Sequence, residues 1–160
     1  MNLLALATLV ITGFVSGAEF GSYAFVHPVL RRLPVTERIT VEQGLLKTFG
    51  RVMPIGMTLC VVTVTVTVTV TVTVTVTVTA TAVDAGGTAP LAWPAAAAFT
   101  AAVLFTVVVN VPINRATGRW DAQHPPADWE PTRNRWELFQ GVRSWLLLLG
   151  FVLVCAASAA

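Results

Sequence analysis

Two ionisable residues, Glu19 and Arg143, lie inside apolar stretches of the sequence. A charged residue at the centre of a membrane helix costs about 2.5 to 3.5 kcal/mol on insertion scales, so such residues usually serve a function. Glu19 lies eight residues before His27 and Arg143 eight residues after Arg135, which is about 12 Å along a helix. Equal depth and opposite charge predict that they pair. Such a pair either only fixes the register of two helices or belongs to a site that binds a ligand or moves protons.

Polar side chains with helical spacing accompany both charges. In the first apolar segment a carboxylate, a phenol and an imidazole lie on one helical stripe. In the last segment an indole, an amide and a guanidinium do the same. In the third, two amides lie on either side of Pro112. Three polar stripes at one depth predict a shared cavity that holds water or a ligand. The candidate residues are Glu19, Tyr23, His27, Asn110, Asn114, Trp136, Gln140 and Arg143. His27, just before Pro28, is either an ordinary interfacial histidine or a residue for acid–base chemistry or ligand binding.

The elements that position these residues are predicted to be membrane helices. Hydrophobic residues make up 55% of the 160-residue chain and charged residues 11%, whereas a soluble domain has roughly 25% charged residues. Apolar runs of spanning length at about 3–27, 53–83, 91–114 and 136–157 predict an all-α bundle of four transmembrane helices. The chain is thus expected to form a single integral membrane domain, residues 1–160. Residues 33–49 suit a short amphipathic helix at the interface after the first span.

A strict alternation of threonine and valine occupies residues 63–79. Period-2 alternation of β-branched residues taken alone indicates a strand. In hydrocarbon, however, a lone strand leaves its backbone groups unpaired, so only helices and closed barrels span a membrane. We therefore predict a helix here. Because threonines at this period are spread around every helix face, the segment is expected to act as a spacer, with a hydroxyl-lined conduit as the alternative.

The distribution of cations predicts the topology. All ten Lys and Arg residues fall in two stretches, 31–51 and 115–143, and none lies near the turn at 84–87. The positive-inside rule then predicts a multi-pass protein of the cell membrane with cytoplasmic cation-rich connections and both termini outside. A signal peptide cleaved near 16–18 is the rival interpretation of the N-terminus. A net charge of +2 favours the lipid bilayer as partner over nucleic acid. The sequence leaves open whether the chain forms an oligomer.

At these residues the chain resembles the anthrone oxygenase-like family of small integral membrane proteins. The resemblance rests on Phe25-Val-His27-Pro28, on Asn110-Val-Pro-Ile-Asn114 leading to Trp120, and on Arg135-Trp136 followed by Arg143. It implies a four-helix membrane enzyme, and some members are held to oxidise an anthrone to an anthraquinone with O₂ in secondary metabolism. An anthrone forms an electron-rich enolate that reacts with O₂ without a metal, so no cofactor beyond O₂ is expected.

The resemblance also implies roles for the candidate residues. Glu19 or His27 is expected to take the proton, while Arg143, Asn110 and Asn114 hold the developing oxyanion. Tyr23, Trp136 and Gln140 are expected to bind the substrate, a planar hydrophobic aromatic molecule. Two other classes stay open. A metal-dependent or haem-dependent membrane oxidoreductase has His27 as its best candidate ligand, and a non-catalytic membrane subunit uses the same cavity only for binding.

Overall fold

The computed structural model describes residues 3–79 and 89–159, and these are helical apart from two connections. Two of the helices contain a short π-helical segment, which divides each into two parts, and the part at the end of the bundle where most of the cations lie is called the inner part. In chain order the elements are α1 (Leu3–Gly21), π1 (Ser22–Val26), α2 (His27–Leu30), α3 (Val35–Thr79), α4 (Ala89–Phe105), π2 (Thr106–Asn110), α5 (Val111–Thr117) and α6 (Trp129–Ala159). The all-α class predicted from the sequence is confirmed.

The last helix, α6, is the centre of the packing. It lies against α4 and α1, while α3 packs on α1 and α4. The apolar core between them includes Val15, Met57, Phe99 and Leu147, all nearly inaccessible to solvent. Gly150 allows a close approach here, because a Cβ at this position would lie 2.8 Å from the ring of Phe99. The packed apolar half of the bundle holds α1, α4 and α6 in the positions from which their polar residues meet.

Both π-helical segments precede a proline, Pro28 after π1 and Pro112 after π2. Proline has no N–H to donate to the preceding turn, and a π segment, with its i→i+5 bonds, is a common adjustment at functional sites. The wider π turn changes which residues share a helix face. Glu19 and His27, eight residues apart, come to the same side, whereas the intervening Tyr23 lies elsewhere.

The predicted interfacial helix at 33–49 is wrong as a separate element, because α3 runs unbroken from Val35 to Thr79. Pro54 lies inside it without ending it. The buried residues Ile39, Met53 and Met57 keep helical spacing on either side of the expected break, so the two parts pack as one helix. The Thr-Val repeat forms the second half of α3, which confirms its predicted helical backbone.

Three of the described helices are long and apolar enough to cross a membrane, Leu6–Leu30, Pro94–Thr117 and Trp129–Ala157. They correspond to the first, third and fourth predicted spans, and they indicate a membrane protein. The predicted turn at 84–87 and the end of the predicted second span, 80–83, lie outside the described residues. The described helices therefore support three of the four spans that the sequence predicted.

Candidate functional site

A cavity of about 550 Å³ opens between the inner halves of the helices. Its size is typical of a pocket for a small organic molecule. Six of the eight candidate residues line it, namely Glu19, His27, Asn114, Trp136, Gln140 and Arg143. Apolar side chains complete the walls, among them Leu46, Phe49, Met53, Met57 and Val111. The cavity thus combines a polar end with walls suited to a flat apolar molecule.

Glu19 and Arg143 form the ion pair that their equal depths predicted. Nη2 of Arg143 donates to Oε2 of Glu19 at 2.5 Å, and the two side chains are only 9% and 2% exposed. Gln140 joins them, since its Nε2 donates to the same Glu19 oxygen at 2.9 Å while its Oε1 accepts from Arg143 Nη2 at 2.5 Å. Two donors on one carboxylate oxygen thus join Glu19, Gln140 and Arg143 in one buried network.

The pair is fixed from both sides. Nη1 of Arg143 donates to Oγ1 of Thr106 at 3.3 Å, and that hydroxyl donates to the carbonyl of Ala102. On the other side, Oγ of Ser144 donates to the backbone carbonyl of Glu19. These contacts link α1, α4–π2 and α6 at one level. A guanidinium held in this way keeps its orientation when a ligand arrives, which is what electrostatic stabilisation requires.

Several buried polar atoms around the cavity have no hydrogen-bond partner among the described residues. They include Nδ1 of His27, Oδ1 of Asn114, Nε1 of Trp136 and Nε of Arg143. Native proteins rarely leave buried polar atoms unpaired, so each needs an explanation such as a ligand or water. All four belong to residues that line the cavity. Their common location makes the cavity the candidate site for a ligand or water that satisfies them.

The imidazole of His27 is positioned by Trp136. The two ring centroids lie 5.0 Å apart at an interplanar angle of 47°, and both side chains are buried. The guanidinium of Arg133 lies over the Trp136 ring at 4.3 Å from its centroid. Such a cation–π contact favours a fixed indole plane. Trp136 is thus a rigid wall of the cavity with an unpartnered N–H.

Tyr23 and Asn110 are the two candidates that do not line the cavity. Tyr23 lies in a separate groove between π1 and α6, where its ring packs against Gly141. The turn of π1 carries it away from the stripe that ideal α-helical spacing predicted. Asn110 is fully buried behind Gln140, to which its Nδ2 donates at 3.5 Å. It therefore supports the polar network from outside the cavity.

Sequence reasoning missed a second buried charge network at the inner end of the bundle. Arg38 donates to Glu42 at 3.1 Å and to Glu137 at 2.8 Å, and Arg133 pairs with the other oxygen of Glu42 at 2.9 Å. Arg31 also pairs with Glu137. Apart from Arg31, these side chains are at most 8% exposed. The sequence does contain a signal for this network, because opposite charges lie four residues apart at Arg38 and Glu42 and again at Arg133 and Glu137.

The connection between α5 and α6 carries the second histidine, His124, away from the cavity. It is 86% exposed and its Nδ1 lies 3.0 Å from Oδ2 of Asp121. That hydrogen bond lowers the pKa of Asp121 below its usual value. His124 does not line the cavity.

Among the described residues, no three His, Cys, Asp or Glu side chains lie close enough together to hold a metal ion. His27 was the best candidate ligand from the sequence. Its neighbours on the cavity wall are an indole, amides and cationic side chains, which are poor metal ligands apart from Glu19 and Glu42. Both carboxylates are already engaged by arginines. The donor set thus suits an organic ligand better than a metal with several protein ligands.

Comparison with known proteins adds one finding. A family model described as anthrone oxygenase matches residues 49–153, which is more than half of the chain. The matched region includes the cavity residues of α5 and α6 and those of α3 from Phe49 onwards, but not Glu19, His27 or the start of α3. No curated protein and no solved structure matches the chain.

Proposed function

Because the chain belongs to the anthrone oxygenase family, we propose that its cavity oxidises a planar phenolic or anthrone-type molecule with O₂. The observation that carries the proposal is the set of buried polar atoms in the cavity wall that have no hydrogen-bond partner among the described residues, together with the Glu19–Arg143 pair. An anthrone bound there has a C–H acidic enough for a modest base. The reaction needs that base and donors for the enolate oxygen, and this wall supplies both.

His27 is the base in this proposal. Glu19 is less suited because Arg143 and Gln140 both donate to its Oε2 and keep that oxygen engaged. His27 Nδ1, by contrast, has no partner among the described residues. In the first step a ring nitrogen takes the proton from the carbon opposite the carbonyl, and the electron pair moves into the ring system. The carbonyl oxygen becomes an enolate oxygen.

Arg143 and Trp136 are the donors for that oxygen. Nε of Arg143 and Nε1 of Trp136 are buried and unpartnered, and donors fixed in advance where charge develops are the most effective kind. The carbanion then reacts with O₂ and, with the proton returned by His27, gives a hydroperoxide on the substrate carbon. Loss of water from this hydroperoxide leaves the second carbonyl. One anthrone and one O₂ give one anthraquinone and one water.

The membrane setting suits this substrate class, since a flat apolar molecule partitions into the bilayer. We propose a cell-membrane protein with four spans, the second formed by the later part of α3, and with both termini outside. The support is the three spanning helices and the cations confined to residues 31–51 and 115–143. Reporter fusions at residues 84 and 160 test this, and cytoplasmic activity of either fusion would contradict it.

The reaction itself is tested with purified protein in lipid nanodiscs, an anthrone and ¹⁸O₂. We expect one labelled oxygen in the quinone, no product without O₂, and turnover that persists in metal-free preparations. A rate above protein-free autoxidation is required, because autoxidation gives the same label. Turnover that tracks metal or haem content supports the alternative of a metal-dependent oxidoreductase instead. Tight binding of the anthrone without turnover supports a non-catalytic binding subunit.

A further inference from the structure

The cavity has more positive than negative side chains. Five cationic residues line it, Lys47, Arg51, Arg115, Arg133 and Arg143, against two carboxylates, Glu19 and Glu42. Both carboxylates are consumed inside the protein, Glu19 by Arg143 and Glu42 by Arg38 and Arg133. Three cations remain, Lys47, Arg51 and Arg115, which are exposed and make no ion pair with any described carboxylate.

These three cations belong to one end of the cavity. Lys47 and Arg51 are four residues apart on α3 and thus share a face. Gln43, one turn before Lys47, donates to the backbone carbonyls of Thr117 and Trp120 at 3.0 and 2.9 Å. This fixes the inner end of α3 against the end of α5, which carries Arg115. The antiparallel course of α3 and α5 then brings Lys47 level with Arg115.

The distance from these cations to the reactive end can be counted along α3. Met57 lies beside Thr106, with 3.9 Å between its sulfur and the Thr106 hydroxyl, and Thr106 in turn contacts Arg143. Met57 therefore marks the level of the Glu19–Arg143 pair. Arg51 and Lys47 precede it by six and ten residues, or about 9 and 15 Å of helix. With the central ring of a three-ring molecule beside the pair, an outer ring extends along this distance, and the long flexible side chains of lysine and arginine cover the remainder.

We propose that Lys47, Arg51 and Arg115 form an anion subsite that holds a carboxylate carried on an outer ring of the substrate, beside the central ring that contains the reacting carbon. The inference rests on the proposed function and names the substrate class as an aromatic acid rather than a neutral phenol. The apolar walls contact the ring system, and the subsite fixes which end enters first. The phosphate of a lipid headgroup offers the same charge to these cations, so the test must separate the two sources.

The test measures binding rather than turnover. Anthraquinone-2-carboxylate and anthraquinone-2-carboxamide have the same ring system and cannot undergo the oxidation. Their affinities for the full-length protein in nanodiscs of neutral phosphatidylcholine are compared by calorimetry. We expect the carboxylate to bind more tightly, and the triple variant Lys47→Gln, Arg51→Gln, Arg115→Gln to lose about tenfold for it, since each exposed pair contributes modestly. The affinity for the carboxamide is expected to be unchanged.

A matched control is Arg32→Gln with Arg135→Gln, which removes two exposed cations that do not line the cavity. It is expected to leave both affinities unchanged. Equal affinity of the wild type for the two probes, or an equal loss in the control, overturns the subsite. A tenfold loss of carboxylate affinity when anionic phosphatidylglycerol replaces the neutral lipid also overturns the subsite, because lipid headgroups then occupy these cations. Carboxylate-selective binding without any oxygen uptake contradicts the proposed function but leaves the subsite standing.

Discussion

The guanidinium of Arg143 lies 2.5 Å from the carboxylate of Glu19 in the interior of the bundle, and the two come from the last and the first helix. A buried ion pair of this kind contributes little net stability, because desolvation offsets the attraction. Removing one partner is different, since it leaves a charge buried alone. The pair can therefore be tested separately for its contribution to folding and to turnover.

We expect Arg143→Met to destabilise the protein by about 3 to 5 kcal/mol, because Glu19 is then left without its counter-ion. The double variant Glu19→Gln, Arg143→Met removes both charges and is expected to recover most of the free energy of unfolding but no turnover. Unfolding in mixed micelles and product formation are measured on the same preparations. If stability and turnover recover together, the pair only fixes helix register and has no catalytic role.

His27→Gln is expected to lower kcat by about 10² to 10⁴, the range contributed by a positioned base. The substitution keeps a polar side chain of similar reach, so the free energy of unfolding is expected to change little. The exposed His124 provides the matched control, and His124→Gln is expected to keep full activity. Full activity of His27→Gln would instead assign the base to Glu19 or to solvent.

We expect the second charge network to stabilise the fold without taking part in the reaction. Glu137 is the partner of both Arg31 and Arg38, so Glu137→Gln leaves two guanidiniums with one carboxylate fewer. We expect a loss of about 3 kcal/mol in the free energy of unfolding, with the turnover of the folded fraction retained. Glu130→Gln, an exposed change on the same helix, is the control. A stable but inactive Glu137→Gln protein would show that the network takes part in the reaction.

Gly150→Ala tests the packing that brings α4 against α6. Its Cβ would lie 2.8 Å from the Phe99 ring, which is fully buried and has no room to move. Overpacking of this kind costs about 1 to 3 kcal/mol. Gly17→Ala meets nothing within 4 Å, and is expected to gain about 0.5 to 1 kcal/mol because alanine favours a helix. Thermal unfolding of the two variants should therefore shift in opposite directions.

The sequence predicted those features that depend on depth and helical spacing. Glu19 and Arg143 could be paired because each lies eight residues from the polar residue that bounds its apolar segment, His27 or Arg135. The period-2 repeat could be assigned to a helix because a lone strand in hydrocarbon leaves its backbone groups unpaired. Tyr23 was misplaced because the π segment changes the spacing, and no residue type announces a π turn. The continuity of α3 across residues 50–52, between the predicted interfacial helix and the predicted second span, was missed because only the packed bundle shows that the buried residues on both sides keep one helical spacing.

The buried network of Arg38, Glu42, Arg133 and Glu137 shows a different limit. These residues lie near predicted connections, where charges are ordinarily solvated, and only the packing of the start of α3 against the start of α6 buries them. The anion subsite was also not predicted from the sequence, because the positions of its cations were explained by the membrane topology alone. Their relation to the cavity follows from the pairing of α3 with α5, which the sequence does not reveal.

The most direct test of the proposed reaction is the initial rate of O₂ uptake with an anthrone, compared between the wild type and His27→Gln in matched nanodiscs. We expect the wild type to take up O₂ well above the rate of protein-free autoxidation, with one O₂ consumed per quinone formed. For His27→Gln we expect O₂ uptake at the autoxidation rate. A wild-type rate equal to that of empty nanodiscs, or equal rates for the two proteins, would contradict the proposed reaction.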